Sequence, residues 1–166
     1  MSLQPQTMGF APVYDKNAKV LILGSFPSVK SREINFYYGN KQNRFWKMLC
    51  GYFQCEIPQS NAEKQAFLLS NGIALWDIAT ACDIQGSSDS SIKNVKIADL
   101  ALIFNQANLR CILLNGTLAY NLFELHYANC GIPYIKMPST SPANPRYNEQ
   151  AWIDALDEIY KVNCDK

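Results

Sequence analysis

The sequence predicts an α/β fold of three layers, α/β/α, around a central four-stranded parallel sheet. Short apolar runs recur along the chain, and their apolar character on both faces is typical of strands buried in a parallel sheet. Segments with apolar residues at helical spacing lie between these runs, and this alternation favours parallel strands. Three runs lead into polar loops, which a parallel sheet brings to one edge, where open α/β sheets bind ligands.

Four predicted strands account for the sheet. They span residues 20–23, 72–77, 111–116 (including a turn) and 134–137. Before them, residues 1–19 form a polar lead-in, in which Phe10, Pro12 and Val13 are expected to pack on the edge of the sheet.

Five predicted helices follow from the spacing of apolar residues and from end signals. They span residues 43–53, 62–71, 97–105, 117–127 and 151–162. The first places Phe45, Trp46 and Leu49 on one face. Asn61 is predicted to cap the second helix and Gly72 to end it. Residues 82–91 are predicted to form a long polar loop.

Length and composition indicate a single domain that covers residues 1–166. Apolar residues make up 48% of the chain, enough for a core that needs neither a metal nor a disulfide. The six cysteines form no C-x-x-C pair and His126 is the only histidine. No zinc or iron–sulfur site is therefore expected, and no cofactor.

The cysteines and the N-terminus bear on location. Scattered cysteines without a signal-peptide pattern fit a reducing cytoplasm. No apolar run approaches the roughly 18 residues of a membrane span. The sequence therefore predicts a cytoplasmic protein that makes no membrane contact.

The charge of the chain is small but unevenly distributed. A net charge of +1 excludes a protein that coats DNA non-specifically. Residues 30–47 nevertheless carry five cations and one acid, and residues 136–146 carry two cations and no acid. A positive face on an acidic body is expected of a protein that docks a polyanion in one orientation.

Aromatic rings and cations lie close together in residues 36–47. Three rings, ending with Tyr38, are followed by Lys41, Arg44 and Lys47. This combination suits a base on its phosphate backbone. The alternative interpretation is a buried strand, a loop and an amphipathic helix whose rings belong to the core.

Two polar residues stand out as candidates for chemistry, each with an ordinary structural alternative. Asn43 can accept from a water with its carbonyl and donate to a leaving base with its NH₂; the alternative is the N-cap of a helix, and the two roles are compatible. Asp77, at the end of the second strand, can bond a base edge or orient a water; the alternative is a loop-capping aspartate.

The loop that follows the fourth strand, residues 137–146, combines three hydroxyl side chains with three prolines. Prolines stiffen a loop, and Ser and Thr donate well to phosphate oxygens. Such a loop can enter a minor groove or fill the space left by a displaced base. The alternative is an ordinary turn before a helix.

Two enzyme classes are excluded. His126 falls on a predicted helix away from the polar loops, and there is no G-x-S-x-G elbow, which argues against a Ser-His-Asp hydrolase. The loop at residues 24–28 lacks the glycine spacing of a dinucleotide or P-loop site.

Five motifs, taken in order, carry a resemblance to a known family. They are L-G-S-F-P-S at 23–28, Y-Y at 37–38 with N-R-F-W at 43–46, L-W-D at 75–77 with G-S-S-D-S at 86–90, L-N-G at 114–116 and P-S-T-S-P-A-N at 138–144. Their order and spacing resemble the uracil-DNA glycosylase superfamily, and within it the hypoxanthine-DNA (deoxyinosine) glycosylase branch.

The resemblance implies a monofunctional, monomeric enzyme of base-excision repair that flips a deaminated base out of DNA and hydrolyses its glycosidic bond. Asn43 takes the position of the branch's catalytic asparagine. Tyr38 takes that of the ring that stacks on the flipped base, and Asp77 that of the residue that reads its edge. Ser25 and Phe26 complete the implied base-binding set. The implied DNA contacts are Lys41, Arg44, Ser139, Ser141, Pro142, Ala143, Asn144 and Arg146.

The chain departs from other branches at two positions. Phe26 stands where several branches carry a catalytic Asp or Asn, and Met137 stands where the uracil-specific enzymes carry a catalytic His. Both departures fit the hypoxanthine branch and argue against efficient uracil excision. The remaining alternatives are a uracil- or mismatch-specific glycosylase and a catalytically silent nucleic-acid-binding module.

Overall fold

The computed structural model describes residues 6–161. In chain order its elements are β1 (Thr7–Met8), β2 (Val20–Gly24), α1 (Val29–Ile34), α2 (Phe45–Tyr52), α3 (Asn61–Ser70), β3 (Ile73–Asp77), β4 (Ala79–Asp83), a 3-10 turn (Asp89–Ser91), β5 (Lys93–Ile97), α4 (Ala101–Phe104), β6 (Cys111–Asn115), α5 (Thr117–Tyr127), β7 (Tyr134–Met137) and α6 (Glu149–Lys161).

The main sheet has four parallel strands in the order β3-β2-β6-β7, which confirms the predicted fold class. Every residue of β2, β3 and β6 is buried, as their unbroken apolar runs predicted. The register pairs Gly24 with Asp77 and Asn115 with Met137 at the carboxyl ends of the strands. The edge that the sequence singled out is therefore assembled from four separate parts of the chain.

The helices lie on both faces of this sheet. Across the sheet, the chain moves from β2 to β3 toward one edge and from β6 to β7 toward the other edge. Right-handed crossovers therefore place α1, α2 and α3 on one face and α5 on the other. Helix α6 packs on α2 and contributes the fully buried Trp152.

A second, three-stranded antiparallel sheet (β1-β4-β5) was not predicted. Strand β4 begins two residues after Asp77, so the predicted loop over residues 82–91 is wrong at its start. The helix predicted at residues 97–105 is shorter than expected, since β5 runs to Ile97 and α4 covers only Ala101–Phe104. This sheet buries Phe26 against Ala79 and Cys82 in a small second core.

The helix predictions agree in position and differ at their ends. Ser60, not Asn61, caps α3, because its side chain accepts from the Glu63 N–H. Helix α1 was not predicted, and the predicted end of the last helix at Val162 lies outside the described residues. At the other end of the described chain, Val13 is buried and pairs with Leu75, as expected of the lead-in. Within residues 6–161 no helix is both long and apolar enough to cross a membrane.

Candidate active site

A depression of about 950 Å³ lies at the carboxyl edge of the main sheet. The loops that follow β2, β3, β6 and β7 form it, together with the turn at residues 87–89. Eleven of the thirteen predicted site residues line it: Ser25, Phe26, Tyr38, Asn43, Asp77, Ser139, Ser141, Pro142, Ala143, Asn144 and Arg146. Lys41 and Arg44 do not line it.

Gly24 forms the floor of the depression, and it must be glycine. A Cβ atom at this position would lie 2.6 Å from Asp77 Oδ1 and 3.0 Å from the Tyr38 hydroxyl oxygen. Real Cβ atoms do not approach oxygen that closely, so the missing side chain is what leaves room for both Asp77 and Tyr38 over the end of β2.

Asp77 is buried beneath this floor with only 5% of its surface exposed. Its Oδ2 is shielded from solvent and has no hydrogen-bond partner within residues 6–161. Burial, and to a smaller extent the nearby Asp89 carboxylate, raise the pKa of Asp77 to about 7. A buried carboxyl group without a donor is costly when ionised, which is the usual mark of a functional group.

Tyr38 is held in place by a stack and a hydrogen bond. Its ring stacks on Phe45, the first residue of α2, with centroids 4.0 Å apart and an interplanar angle of 26°. Its hydroxyl oxygen accepts from Asn115 Nδ2 at 3.1 Å. Its backbone has φ = 54°, a conformation that bulky residues rarely adopt and that costs about 1–2 kcal/mol.

Asn115 belongs to the site but was missed as a site residue. Its amide donates to Tyr38 and to Thr140 Oγ1, while its Oδ1 accepts from the Thr140 N–H at 3.0 Å. It therefore joins the end of β6 to the loop after β7. The signal that singled out Asp77, a polar residue that ends a buried strand, was present here too.

Asn43 supports the start of α2, as its structural alternative suggested, although the N-cap residue of this helix is Arg44. Its Oδ1 accepts from the Phe45 N–H at 2.9 Å, at the start of α2. Its side-chain nitrogen makes no hydrogen bond to the described part of the chain, and the residue lines the depression. The hydrogen bond to the Phe45 N–H therefore fixes the orientation of the Asn43 amide and leaves its two N–H donors available.

The loop after β7 is rigid because it bonds to itself and to Arg44. Ser139 Oγ accepts from the Ser141 N–H, and Asn144 Nδ2 donates to the Ser139 carbonyl at 2.9 Å. The Arg44 guanidinium donates to the carbonyls of Thr140, Ser141 and Asn144 and stacks 4.3 Å from the centre of the Tyr147 ring.

The placement of Arg44 shows a structural role in the loop after β7, and its predicted DNA contact stays a prediction. All three of its carbonyl partners lie in the loop after β7, and it does not reach the depression. An arginine whose N–H groups donate to several backbone carbonyls of one loop holds that loop in position. Lys41 is exposed but stands outside the depression, and its DNA contact stays a prediction.

Ser25 and Phe26 line the depression with limited side-chain access. The Ser25 hydroxyl donates to Asp89 Oδ1 at 2.9 Å. Phe26 is 8% exposed, and the Arg32 guanidinium lies over its ring. Arg32 also donates to the Gly86 carbonyl and so ties the turn before Asp89 to α1. The side chains of Ser25 and Phe26 are therefore both engaged within the protein.

The depression is cationic at its rim. Lys30, Lys136 and Arg146 line it, and each has an exposed side chain. Lys30 is also paired with Glu33 at 3.6 Å, an exposed pair of small energetic value. Within residues 6–161 no three potential metal ligands cluster, and His126 lies outside the depression.

A family model for the uracil DNA glycosylase superfamily matches residues 11–159, nearly the whole chain. The chain belongs to the uracil DNA glycosylase superfamily. Membership identifies it as a DNA glycosylase, with DNA as its substrate.

Individual members of the superfamily are similar over most of their length. A hypoxanthine DNA glycosylase of Methanosarcina acetivorans is 37% identical over 144 residues, which cover 85% of this chain and 90% of that protein. One of Methanosarcina barkeri is 36% identical over 110 residues, 65% of this chain and 70% of that protein. The solution NMR structure of a Methanosarcina acetivorans protein, named provisionally as a uracil DNA glycosylase, superposes with a TM-score of 0.81 at 32% identity. The superposition covers 93% of this chain and 98% of the chain in the NMR structure.

The arrangement suits the chemistry of a superfamily enzyme. A glycosylase takes the target nucleotide out of the duplex into a pocket and reads the base there. A depression walled by Tyr38, floored by Gly24 and Asp77, and flanked by the Asn43 amide offers a ring, a hydrogen-bonding group and a free donor. The rigid loop after β7 and the cationic rim can hold the strand around it.

Proposed function

We propose that the protein is a monofunctional DNA glycosylase that removes hypoxanthine from deoxyinosine in DNA. The observation that carries the proposal is the position of Asn43, which lines the same depression as Tyr38 and Asp77 with its amide donors unpaired. The names of the two Methanosarcina relatives support the choice of hypoxanthine.

Two apolar residues argue against uracil as the main substrate. Phe26 and Met137 occupy positions at which other branches carry polar catalytic groups, and both are buried, with 8% and 2% of their surfaces exposed. Neither can activate a water or stabilise a uracil anion. Catalysis must therefore rely on a polar group elsewhere, and Asn43 is available.

The proposed mechanism needs a stabilised leaving base and a positioned water rather than a strong nucleophile. Cleavage through an oxocarbenium-like transition state places negative charge on the departing base. The Asn43 NH₂ and the backbone N–H groups of Phe26 and Ser28 stabilise that charge. The Asn43 carbonyl has a second lone pair, beyond the one used by the Phe45 N–H, to hold the attacking water.

A lyase step is not part of the proposal. A Schiff-base nucleophile is a lysine whose amine is desolvated and neutral. The two lysines that line the depression, Lys30 and Lys136, are both exposed. The protein is proposed to act as a monomer in the cytoplasm and to leave an intact abasic strand.

The test is an excision assay on labelled duplexes that carry one hypoxanthine, uracil or xanthine, with alkali to cut abasic sites. Asn43→Ala and Asn43→Ser are compared with wild type. Serine keeps a capping oxygen for α2 but lacks the amide, so both variants should lose about 10²–10³ in single-turnover rate. Gln42→Ala, an exposed neighbouring amide outside the depression, should leave the rate unchanged.

Each outcome has a definite meaning. Strong hypoxanthine cutting that both Asn43 variants abolish supports the proposal. Full activity in Asn43→Ser would mean that only the helix cap matters and would remove Asn43 from the chemistry. Uracil cutting alone would move the protein to a neighbouring branch. Salt-sensitive DNA binding with no cutting of any substrate would make it a binding module.

A further inference from the structure

The least compensated polar group of the depression is the Asp77 carboxyl. Neither of its oxygens accepts a hydrogen bond within residues 6–161, although Oδ1 lies directly over Gly24 at the floor. Asn115, which ends the neighbouring strand in the same way, has every side-chain group paired. The contrast indicates that the partner of Asp77 is something the protein binds.

The surroundings of Asp77 disfavour its ionised form. The titratable groups that face it in the described chain are Asp89 from the 3-10 turn and the hydroxyls of Tyr37 and Tyr38. Asp89 is acidic. The Tyr37 hydroxyl donates to the Ala11 carbonyl, and neither tyrosine hydroxyl bonds to Asp77. No cation offsets its charge, and burial further favours the neutral acid.

We propose that Asp77 binds the flipped base as a neutral carboxyl group, whose O–H donates to the carbonyl oxygen that distinguishes a deaminated base from its parent. The inference rests on the proposed function and deepens it, because it names the feature of the substrate that the site selects.

Undamaged and deaminated bases differ at the group that the Asp77 carboxyl would contact. Adenine presents an amino donor at C6, and hypoxanthine presents a carbonyl acceptor there; cytosine and uracil differ in the same way at C4. An ionised Asp77 only accepts, so it could bond the amino group of the undamaged base or the ring N–H of the deaminated base, but it would repel the carbonyl oxygen. A neutral Asp77 donates to the carbonyl and stabilises the charge that develops on it as the base departs.

A pH profile tests the proposal. Because the protonated form is the productive one, single-turnover excision of hypoxanthine should be highest below pH 7. Above it, the rate should fall by up to about tenfold per pH unit. Asp77→Asn carries a donor that does not titrate, so its profile should lack this fall. Ionisation of the substrate affects wild type and Asp77→Asn equally, so the comparison between them removes its effect.

Asp89 offers a second variant with a predicted direction. Asp89→Asn removes the neighbouring negative charge, so Asp77 ionises more easily and its pKa falls. The fall in excision should then begin at lower pH than in wild type. A wild-type profile that is flat or rises between pH 6 and 8, or an equal fall in Asp77→Asn, would overturn the proposal.

A binding measurement separates this inference from the proposed function. Duplexes with uncleavable 2′-fluoro deoxyinosine or 2′-fluoro deoxyadenosine are bound to wild-type protein at pH 6 and pH 8. The preference for inosine should fall at least several-fold at the higher pH in wild type but not in Asp77→Asn. If that holds while no substrate is cut, the inference stands and the glycosylase proposal fails. If hypoxanthine is cut and the preference ignores pH, the glycosylase proposal stands and the inference fails.

Discussion

Gly24 is the residue on which the geometry of the site depends most directly. Its lack of a side chain leaves room for Asp77 Oδ1 and the Tyr38 hydroxyl, which lie 2.6 and 3.0 Å from where a Cβ would be. A methyl group there must displace at least one of them. The substitution should disturb the site rather than the sheet, because Gly24 pairs with β3 through backbone atoms only.

We therefore expect Gly24→Ala to reduce excision by at least about tenfold, since small misplacements of reacting groups have large kinetic effects. Gly51→Ala is the matched control. Gly51 lies in α2 with nothing within 4 Å of its added Cβ, so the change should leave excision intact and stabilise the protein by up to about 1 kcal/mol. Single-turnover kinetics and urea unfolding measure both effects. Full activity in Gly24→Ala would show that excision does not depend on the positions of Asp77 Oδ1 and the Tyr38 hydroxyl beside Gly24.

At the scale of elements, the start of α2 and the loop after β7 form one unit. The Asn43 side chain accepts from the first N–H of α2. The next residue, Arg44, donates from its backbone to the Thr140 carbonyl at 3.1 Å and from its side chain to three carbonyls. The position of the Asn43 amide and the shape of the loop are therefore set together.

Arg44→Ala should lower excision without changing the number of phosphates that the protein contacts. The slope of log binding constant against log salt should stay as in wild type, while the exposed rim residue Arg146, changed to Ala, should reduce the slope by about 0.9. Arg44→Ala should also cost about 1–3 kcal/mol of folding stability, because it leaves carbonyls unpaired. Filter binding across a salt series checks this. A slope lowered by Arg44→Ala as much as by Arg146→Ala would show that Arg44 contacts DNA directly.

The elements that the sequence predicted are those with strong local signals. The strands β2, β3, β6 and β7 are uninterrupted apolar runs, and α5 has clear apolar spacing, so their positions could be read directly. The sheet β1-β4-β5 could not, because its strands are two to five residues long. In addition, β1 pairs with the distant β4, Thr7 opposite Cys82, and the pairing of β4 with β5 is interrupted by register shifts. Helix α1 has only six residues and too little periodicity to detect.

The same limit applies to the site. Motif positions predicted which residues line the depression, because the loops that end parallel strands must share an edge. They did not predict what each side chain bonds to. The role of Arg44 depends on carbonyls about a hundred residues away, and the pairing of Asn115 depends on Thr140. Residue type alone cannot distinguish an arginine that binds phosphate from one that positions a loop.

At the scale of the whole molecule, Asp77 makes stability depend on pH. Its folded-state pKa of about 7 lies above the ordinary value of 3.8, so the folded protein holds a proton that the unfolded chain has released. The contribution of Asp77 to stability is present below about pH 4 and is lost as the pH rises to 7.

Asp77→Asn should therefore stabilise the protein at pH 8, on the order of 2–4 kcal/mol, and much less at pH 4. Asp157→Asn is a control of opposite sign, because hydrogen bonds from Tyr52 and Lys161 lower the pKa of Asp157 and make its ionised form favourable. Urea unfolding at both pH values measures these differences. Equal stability of Asp77→Asn and wild type at pH 8 would mean that Asp77 is not deprived of partners in solution.

The order of the strands in the main sheet has a consequence for how the molecule is made. Strand β2 pairs with β6, so Leu23 lies beside Leu114, and the loop that Arg44 holds comes later still in the chain. Contacts so far apart in sequence form late and slowly, because long loops must close before they are stabilised. A growing chain that has not yet reached Asn144 can assemble most of the sheet but carries no complete site. The loop that completes the site is therefore made after every strand of the main sheet.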